Sequence, residues 1–210
     1  RLGIFLGILI VTFLLRISRL IDLLNEGIGK TVYWLILAAV VVSATNATIR
    51  YSLNTSSNAW LELQWYLFAA VFLLAAGYTL LRNEHIRIDI IIGRFSPRTR
   101  TWVDILGGLF FLLPIAAIIF WLSWPMFLES FRIQESSTDA GGLIRWPAKL
   151  LVPIGFGLLI LQGLSEIVKR VGFLMGKCED PAARFHAHGN LPDEQDIKAE
   201  LEGLIGDKKP

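Results

Sequence analysis

Four stretches of this chain carry apolar residues without the regular polar break of a solvated helix, and each is long enough to cross a bilayer. A helix needs roughly 20 apolar residues to span a hydrocarbon core. The first run, TVYWLILAAVVVSATNATIRYSL, covers residues 31–53, with Tyr33 and Trp34 at its start and Tyr51 at its exit. Such rings gather at membrane boundaries because their bodies are apolar and their edges polar. The second run, WLELQWYLFAAVFLLAAGYTLLR, covers 60–82, and Asn58 stands where a helix cap belongs. The third opens at SPRTR, with Ser96 as cap and Pro97 in the first turn, where no N–H is needed. Its membrane part covers 101–124 and the helical pattern runs on toward Ser130, a length that predicts tilt or kinks at Pro114 and Pro125. The fourth opens at RWPAK, with Pro147 in the first turn, and covers 147–170.

Ahead of these spans the pattern changes. Leu15, Ile17, Leu20, Ile21, Leu23 and Leu24 alternate with Arg16, Arg19, Asp22 and Glu26, which gives a helix one oily and one charged face. Such a helix is expected to lie in the membrane surface. Residues 2–15 are apolar but short. They read as a continuation of that helix, a retained targeting segment or misassigned upstream sequence rather than a fifth crossing, because Arg16 and Arg19 follow too soon. The fold class is therefore all-α: a polytopic membrane protein of four transmembrane helices with an N-terminal amphipathic interfacial helix. Residues 1–30 form the N-terminal segment, 31–171 the four-helix membrane domain and 172–210 an acidic tail, in which 193–206 suit one short amphipathic helix.

Composition agrees with the pattern: 54% of residues are hydrophobic, 18% are charged and the mean hydropathy is +0.55. Residues 1–175 carry 15 Lys and Arg against 10 Asp and Glu, whereas 176–210 carry 5 against 8. A basic membrane body suits loops that face an anionic leaflet and implies no nucleic-acid partner. Cys178 is the single cysteine, which excludes an internal disulfide and a cysteine-based metal site. Charge placement also sets orientation. Loop 51–59 lacks Lys and Arg, while the link after the second span holds Arg82, Arg87, Arg94, Arg98 and Arg100. By the positive-inside rule both termini and this link are expected on the cytoplasmic side.

Few residues suggest chemistry. Arg82, His85, Arg87 and Asp89 form a cytoplasmic interfacial cluster in which Asp89 lies four residues after His85. A carboxylate can orient an imidazole for acid–base work, but no nucleophile or metal-ligand companion stands nearby, so an ion-pair network that anchors a turn is the favoured reading. On the opposite face Ser43, Asn46 and Arg50 share a stripe of the first span, and Glu62 opens the second at the same depth. Arg50 and Glu62 are expected to pair, either as a strut or as contacts for a partner or a lipid headgroup. Arg145 and Trp146, after Gly141 and Gly142, mark a re-entry turn or a docking surface for an external protein. Gln162 and Glu166 share a face of the fourth span, beside Lys169 and Arg170, and suggest an ion pair at the helix end.

Several function classes fall away. A transporter working alone needs a midplane site built from broken helices or buried charges, and the central thirds of these spans are almost purely apolar. A haem subunit needs paired intramembrane histidines, whereas His85 is interfacial and His186 and His188 lie in the tail. No catalytic residues, cofactor or metal are expected. The alternatives are a membrane-anchored redox or enzymatic subunit using His85 and Asp89, or a self-associating small transporter.

NATIRY (46–51), WLELQWYLF (60–68), AAGYTLLRNEHIRIDI (75–90), RFSPRTR (94–100) and GGLIRWPAKLLVPIGFGLLILQGLSE (141–166) follow one another in an order and at a spacing that resemble the DctQ family. This family supplies the small membrane subunit of tripartite ATP-independent periplasmic (TRAP) transporters. The resemblance covers about residues 16–171. It implies a bacterial inner-membrane protein bound to a large DctM-type subunit that carries an organic acid with sodium by an elevator motion. It further implies a non-catalytic scaffold that helps to dock a periplasmic DctP-type binding protein, with phospholipids as further neighbours. Arg50, Glu62, Arg145, Trp146 and Asn46 are then the candidate contacts to partner or lipid.

Overall fold

The computed structural model describes residues 2–55, 57–82 and 96–177, with side chains described from residue 11 onward. The tail beyond 177, the expected helix at 193–206, and His85, Arg87 and Asp89 lie outside the described residues.

The amphipathic segment and the first span form one helix. Helix α1 runs unbroken through Leu2–Leu53, 52 residues and about 78 Å of axis. No proline interrupts it, and Gly27 and Gly29 each weaken a helix by only about 1 kcal/mol relative to alanine. Packing supplies the continuity. Ser18, Asn25, Val32, Ala39 and Asn46 recur every seven residues and all are buried. A seven-residue repeat holds one narrow seam toward neighbouring helices. The charged face of residues 16–30 thus turns partly inward, onto another helix, and residue 30 marks no boundary. The helix stops where Asn54 takes a left-handed φ of 52°.

Helix α2 is Asn58–Leu81, with Ser57 rather than Asn58 at the cap position. Helix α3 spans Pro97–Arg132. Ser96 accepts a hydrogen bond from the Thr99 N–H at its start, as the sequence predicts. A π-helical turn at Gly108–Leu112 interrupts α3 just before Pro114, whereas Pro125 sits within regular α-helix. Proline has no N–H for the residue four back, and a widened turn is one way to absorb that loss. Helix α4 is Trp146–Leu174, with Pro147 in its first turn and Pro153 inside it. All four helices are long and apolar enough to cross a membrane.

Helix α4 is the central pillar. It packs against α1 and α2, which also pack on each other, and against α3. The close approach of α2 and α4 depends on Gly155: a Cβ there would lie 2.7 Å from the Leu73 carbonyl oxygen. Small residues at such seams let membrane helices gain van der Waals contact that lipid tails do not displace. The buried apolar set is correspondingly modest and includes Ala39, Ala70 and Ala116. Large apolar side chains point outward instead, for example Phe72 at 78% and Trp121 at 76% exposure. That inversion belongs to a multi-pass membrane protein.

Candidate functional site

Polar side chains collect in two belts, one at each end of the bundle, named outer and inner after the orientation expected from the charge pattern. The outer belt is built on the connection between α3 and α4. Ser136 and Ile144 form an isolated antiparallel bridge, and the Ser137 N–H donates to the Leu143 carbonyl at 2.9 Å. Gly141, at φ +73°, turns the chain in a conformation that a side chain would strain. Helix α2 holds this loop with residues spaced four apart on one face. Asn58 Nδ2 donates to the Ala140 carbonyl at 3.0 Å, and the Tyr66 hydroxyl donates to the Ile144 carbonyl at 3.2 Å. Between them Glu62, 6% exposed, accepts from the Ser137 hydroxyl and, at 2.6 Å, from the Leu143 N–H.

The expected pairing of Arg50 with Glu62 is therefore corrected. Arg50 is exposed on α1, and both Glu62 oxygens are taken by the loop. Two donors fixed on one short loop satisfy a carboxylate without holding a long arginine side chain in a single rotamer. Asn46 is buried in the α1 seam. Arg145 is half-buried; its N–H donates to the Glu135 carbonyl at 2.8 Å and Nη2 to Thr138 Oγ1 at 3.4 Å. Trp146 meets Phe131 edge to face with centroids 5.2 Å apart. Glu135 pairs with Lys149, whose ammonium holds the carboxyl below its ordinary value of 4.5. The structure thus gathers Glu62, Arg145 and Trp146 around one loop and leaves Arg50 outside it.

The inner belt joins α1, α3 and α4. Asn25 Nδ2 donates to Gln162 Oε1 at 2.9 Å, and both side chains are fully buried. Gln162 Nε2 in turn donates to Asp22 Oδ1 at 2.9 Å and to Glu166 Oε1 at 3.1 Å. The Ser18 and Ser165 hydroxyls meet at 2.6 Å, and Ser165 also donates to Asp22 at 3.0 Å. Lys169 pairs with Asp22 at 3.0 Å and with Glu166; Arg170 donates to Glu166 at 2.6 Å and reaches Asp104 of α3 at 3.2 Å. The ion pairing of Glu166 with its helix neighbours was legible in the sequence. Its extension to Asp22 and Asp104 was not, although Ser18 and Asn25 at seven-residue spacing were a readable sign. Arg82 joins the same end, at 3.7 Å from Glu26, with Nε donating to the Tyr78 hydroxyl at 3.1 Å.

Between the belts, residues 31–49 of α1, 63–81 of α2, 105–128 of α3 and 150–165 of α4 contain no Asp, Glu, Lys, Arg or His. From Glu62 to Arg82 the axis of α2 rises about 30 Å, the thickness of a hydrocarbon core. The belts therefore lie as far apart as the two boundaries of a membrane, and their carboxylates Glu62, Glu135, Asp22 and Glu166 are held by donors within the chain.

Comparison with known proteins adds one finding. The family model for the DctQ component of tripartite ATP-independent periplasmic transporters matches residues 39–172, nearly two thirds of the chain. Searches of curated proteins and of solved structures found no match.

Proposed function

This chain belongs to the DctQ family, the small membrane component of tripartite ATP-independent periplasmic transporters, and from that premise we propose that it is the stationary brace of a sodium-coupled importer of organic acids. It lies in the bacterial inner membrane with both termini in the cytoplasm, an orientation supported by the arginines at the inner belt and the Lys- and Arg-free loop 51–59. Its outward-facing apolar surface holds a large DctM-type subunit, which carries cargo and ion. The loop clamped by Glu62 presents Arg145 and its neighbours to a periplasmic DctP-type binding protein. Arg50, exposed at the same level, is a further contact to that protein or to a lipid headgroup, and Asn46 keeps α1 in register beneath it.

The observation that carries this reading is the band, about 30 Å along α2, with no Asp, Glu, Lys, Arg or His. A chain that moved ions itself would need groups to hold them at that depth. Reconstitution in liposomes tests it. Sodium-driven uptake of an organic acid is expected only with all three components, and uptake by this chain alone would refute the brace.

A further inference from the structure

A groove of about 470 Å³ opens on the side of the bundle between α1, α2 and α4. Leu23, Gly27, Thr31 and Leu35 of α1 form one wall, with Leu74 of α2 and Ile154 of α4 opposite. The Thr31 hydroxyl is spent on the Gly27 carbonyl at 3.1 Å, so the lining offers a ligand essentially hydrocarbon. From Leu23 to Leu35 the groove is about 18 Å long. One leaflet of a hydrocarbon core is about 15 Å thick. Glu26 beside Arg82 places the Leu23 end at the arginine-rich membrane boundary, and Leu35 then falls near the midplane. The groove therefore has the length, depth and polarity of a single acyl chain.

Its mouth is charged. Arg16, Leu20, Leu23, Gly27, Thr31 and Leu35 share one stripe of α1, and Arg19 lies beside it. Arg19 and Arg16 are exposed and precede Leu23 by about one and two turns, at headgroup depth. Two guanidinium groups above an apolar slot complement a phosphate joined to a fatty chain, because arginine binds phosphate oxygens in pairs. We propose that this groove binds one anionic phospholipid, its acyl chain along Gly27 and its headgroup on Arg16 and Arg19, as a built-in part of the subunit. On the orientation given above, the leaflet is the cytoplasmic one.

Gly27 gives a direct test, because a Cβ there would meet nothing within 4 Å. Gly27→Phe therefore starts its side chain in open space on the groove wall and occupies the slot, and Ile154→Trp fills it from the other wall. The full-length chain is purified in mild detergent, stripped of bulk lipid, and titrated with dioleoyl phosphatidylglycerol or dioleoyl phosphatidylcholine under native mass spectrometry. Wild type is expected to hold one phosphatidylglycerol, and either filling variant to bind it at least about tenfold more weakly, since several buried methylenes lose their site. Arg16→Ala with Arg19→Ala is expected to remove the preference for phosphatidylglycerol while leaving phosphatidylcholine binding in place. Helical circular dichroism of each variant shows whether the fold survives, and a misfolded variant is replaced by the filling substitution on the opposite wall. Equal lipid retention by wild type and a folded filling variant overturns the proposal. So does unchanged lipid retention beside lost capture of the large subunit or lost cross-linking between copies, which makes the groove a seat for a protein helix.

Discussion

Gln162→Leu probes the inner belt most directly. The substitution keeps nearly the same volume in a fully buried position, so a cavity contributes little. Three hydrogen bonds disappear: the one received from Asn25 and the two given to Asp22 and Glu166. Both carboxylates keep other donors, Ser165 and Lys169 for Asp22, Lys169 and Arg170 for Glu166. Neither is left as a bare buried charge, so the several-kcal/mol penalty of an orphaned ion does not apply. Asn25 fares worse, because Nδ2 retains only the Ile21 carbonyl at 3.2 Å and Oδ1 has no hydrogen-bond partner in the native protein. Interhelical hydrogen bonds in membranes average about 0.6 kcal/mol, so the two to α1 amount to about 1 kcal/mol, while the bond to Glu166 stays within α4 and ties no helices together. Reversible unfolding in mixed micelles of lipid and denaturing detergent measures the loss. A double-mutant cycle with Asn25→Leu isolates the α1–α4 bond and is expected to return about 0.6 kcal/mol of coupling. Wild-type stability for Gln162→Leu, or no coupling within about 0.3 kcal/mol, would refute the view that this belt ties α1 to α4.

Four further outcomes follow from named positions. Glu62→Gln weakens two charge-assisted bonds to the outer loop, so limited proteolysis within 133–145 should speed up and capture of the periplasmic binding protein should fall; intact protection would mean that the loop stands by itself. Gly155→Ala sets a Cβ 2.7 Å from the Leu73 carbonyl oxygen and 3.0 Å from its carbon, both backbone atoms, and is expected to cost about 1–3 kcal/mol in the same unfolding assay. Gly107→Ala, where a Cβ meets nothing within 4 Å, should instead be neutral or stabilising. Glu135 has a lowered native pKa, so its pairing with Lys149 contributes stability above the unfolded value of 4.5 and loses it as pH falls through the native value. An acid titration of unfolding should therefore show a stability loss below pH 4.5 that Glu135→Gln reduces, the remainder coming from Glu62, whose ionised form is also held by hydrogen bonds.

What was readable in the sequence, and what was not, divides by the range of the interaction involved. Four spans, the Ser96 cap and the first-turn prolines Pro97 and Pro147 all arise from neighbours within a turn or from bulk hydropathy, and the pattern carries both. Asn58 shows where local reasoning fails. Its side chain suits a cap, yet a carbonyl 82 residues away is the acceptor it finds, and Ser57 takes the cap position. Glu62 fails for the same reason: the sequence offered Arg50 across a short loop, while the donors that hold it, Ser137 and the Leu143 N–H, are 75 and 81 residues distant. The amphipathic segment of residues 16–30 is the subtler case. One polar and one oily face describe a helix lying on a membrane equally well as a helix whose polar side meets another polar helix, since both put apolar residues against lipid. The second answer rests on Asp22, Ser18 and Asn25 finding Lys169, Ser165 and Gln162 on α4. Those partners lie outside any local window, but the sequence still marked the seam, because Ser18, Asn25, Val32, Ala39 and Asn46 keep a seven-residue period straight across the proposed boundary at residue 30. A surface helix ending at 30 has no reason to share a period with the span that follows; a single packed helix must.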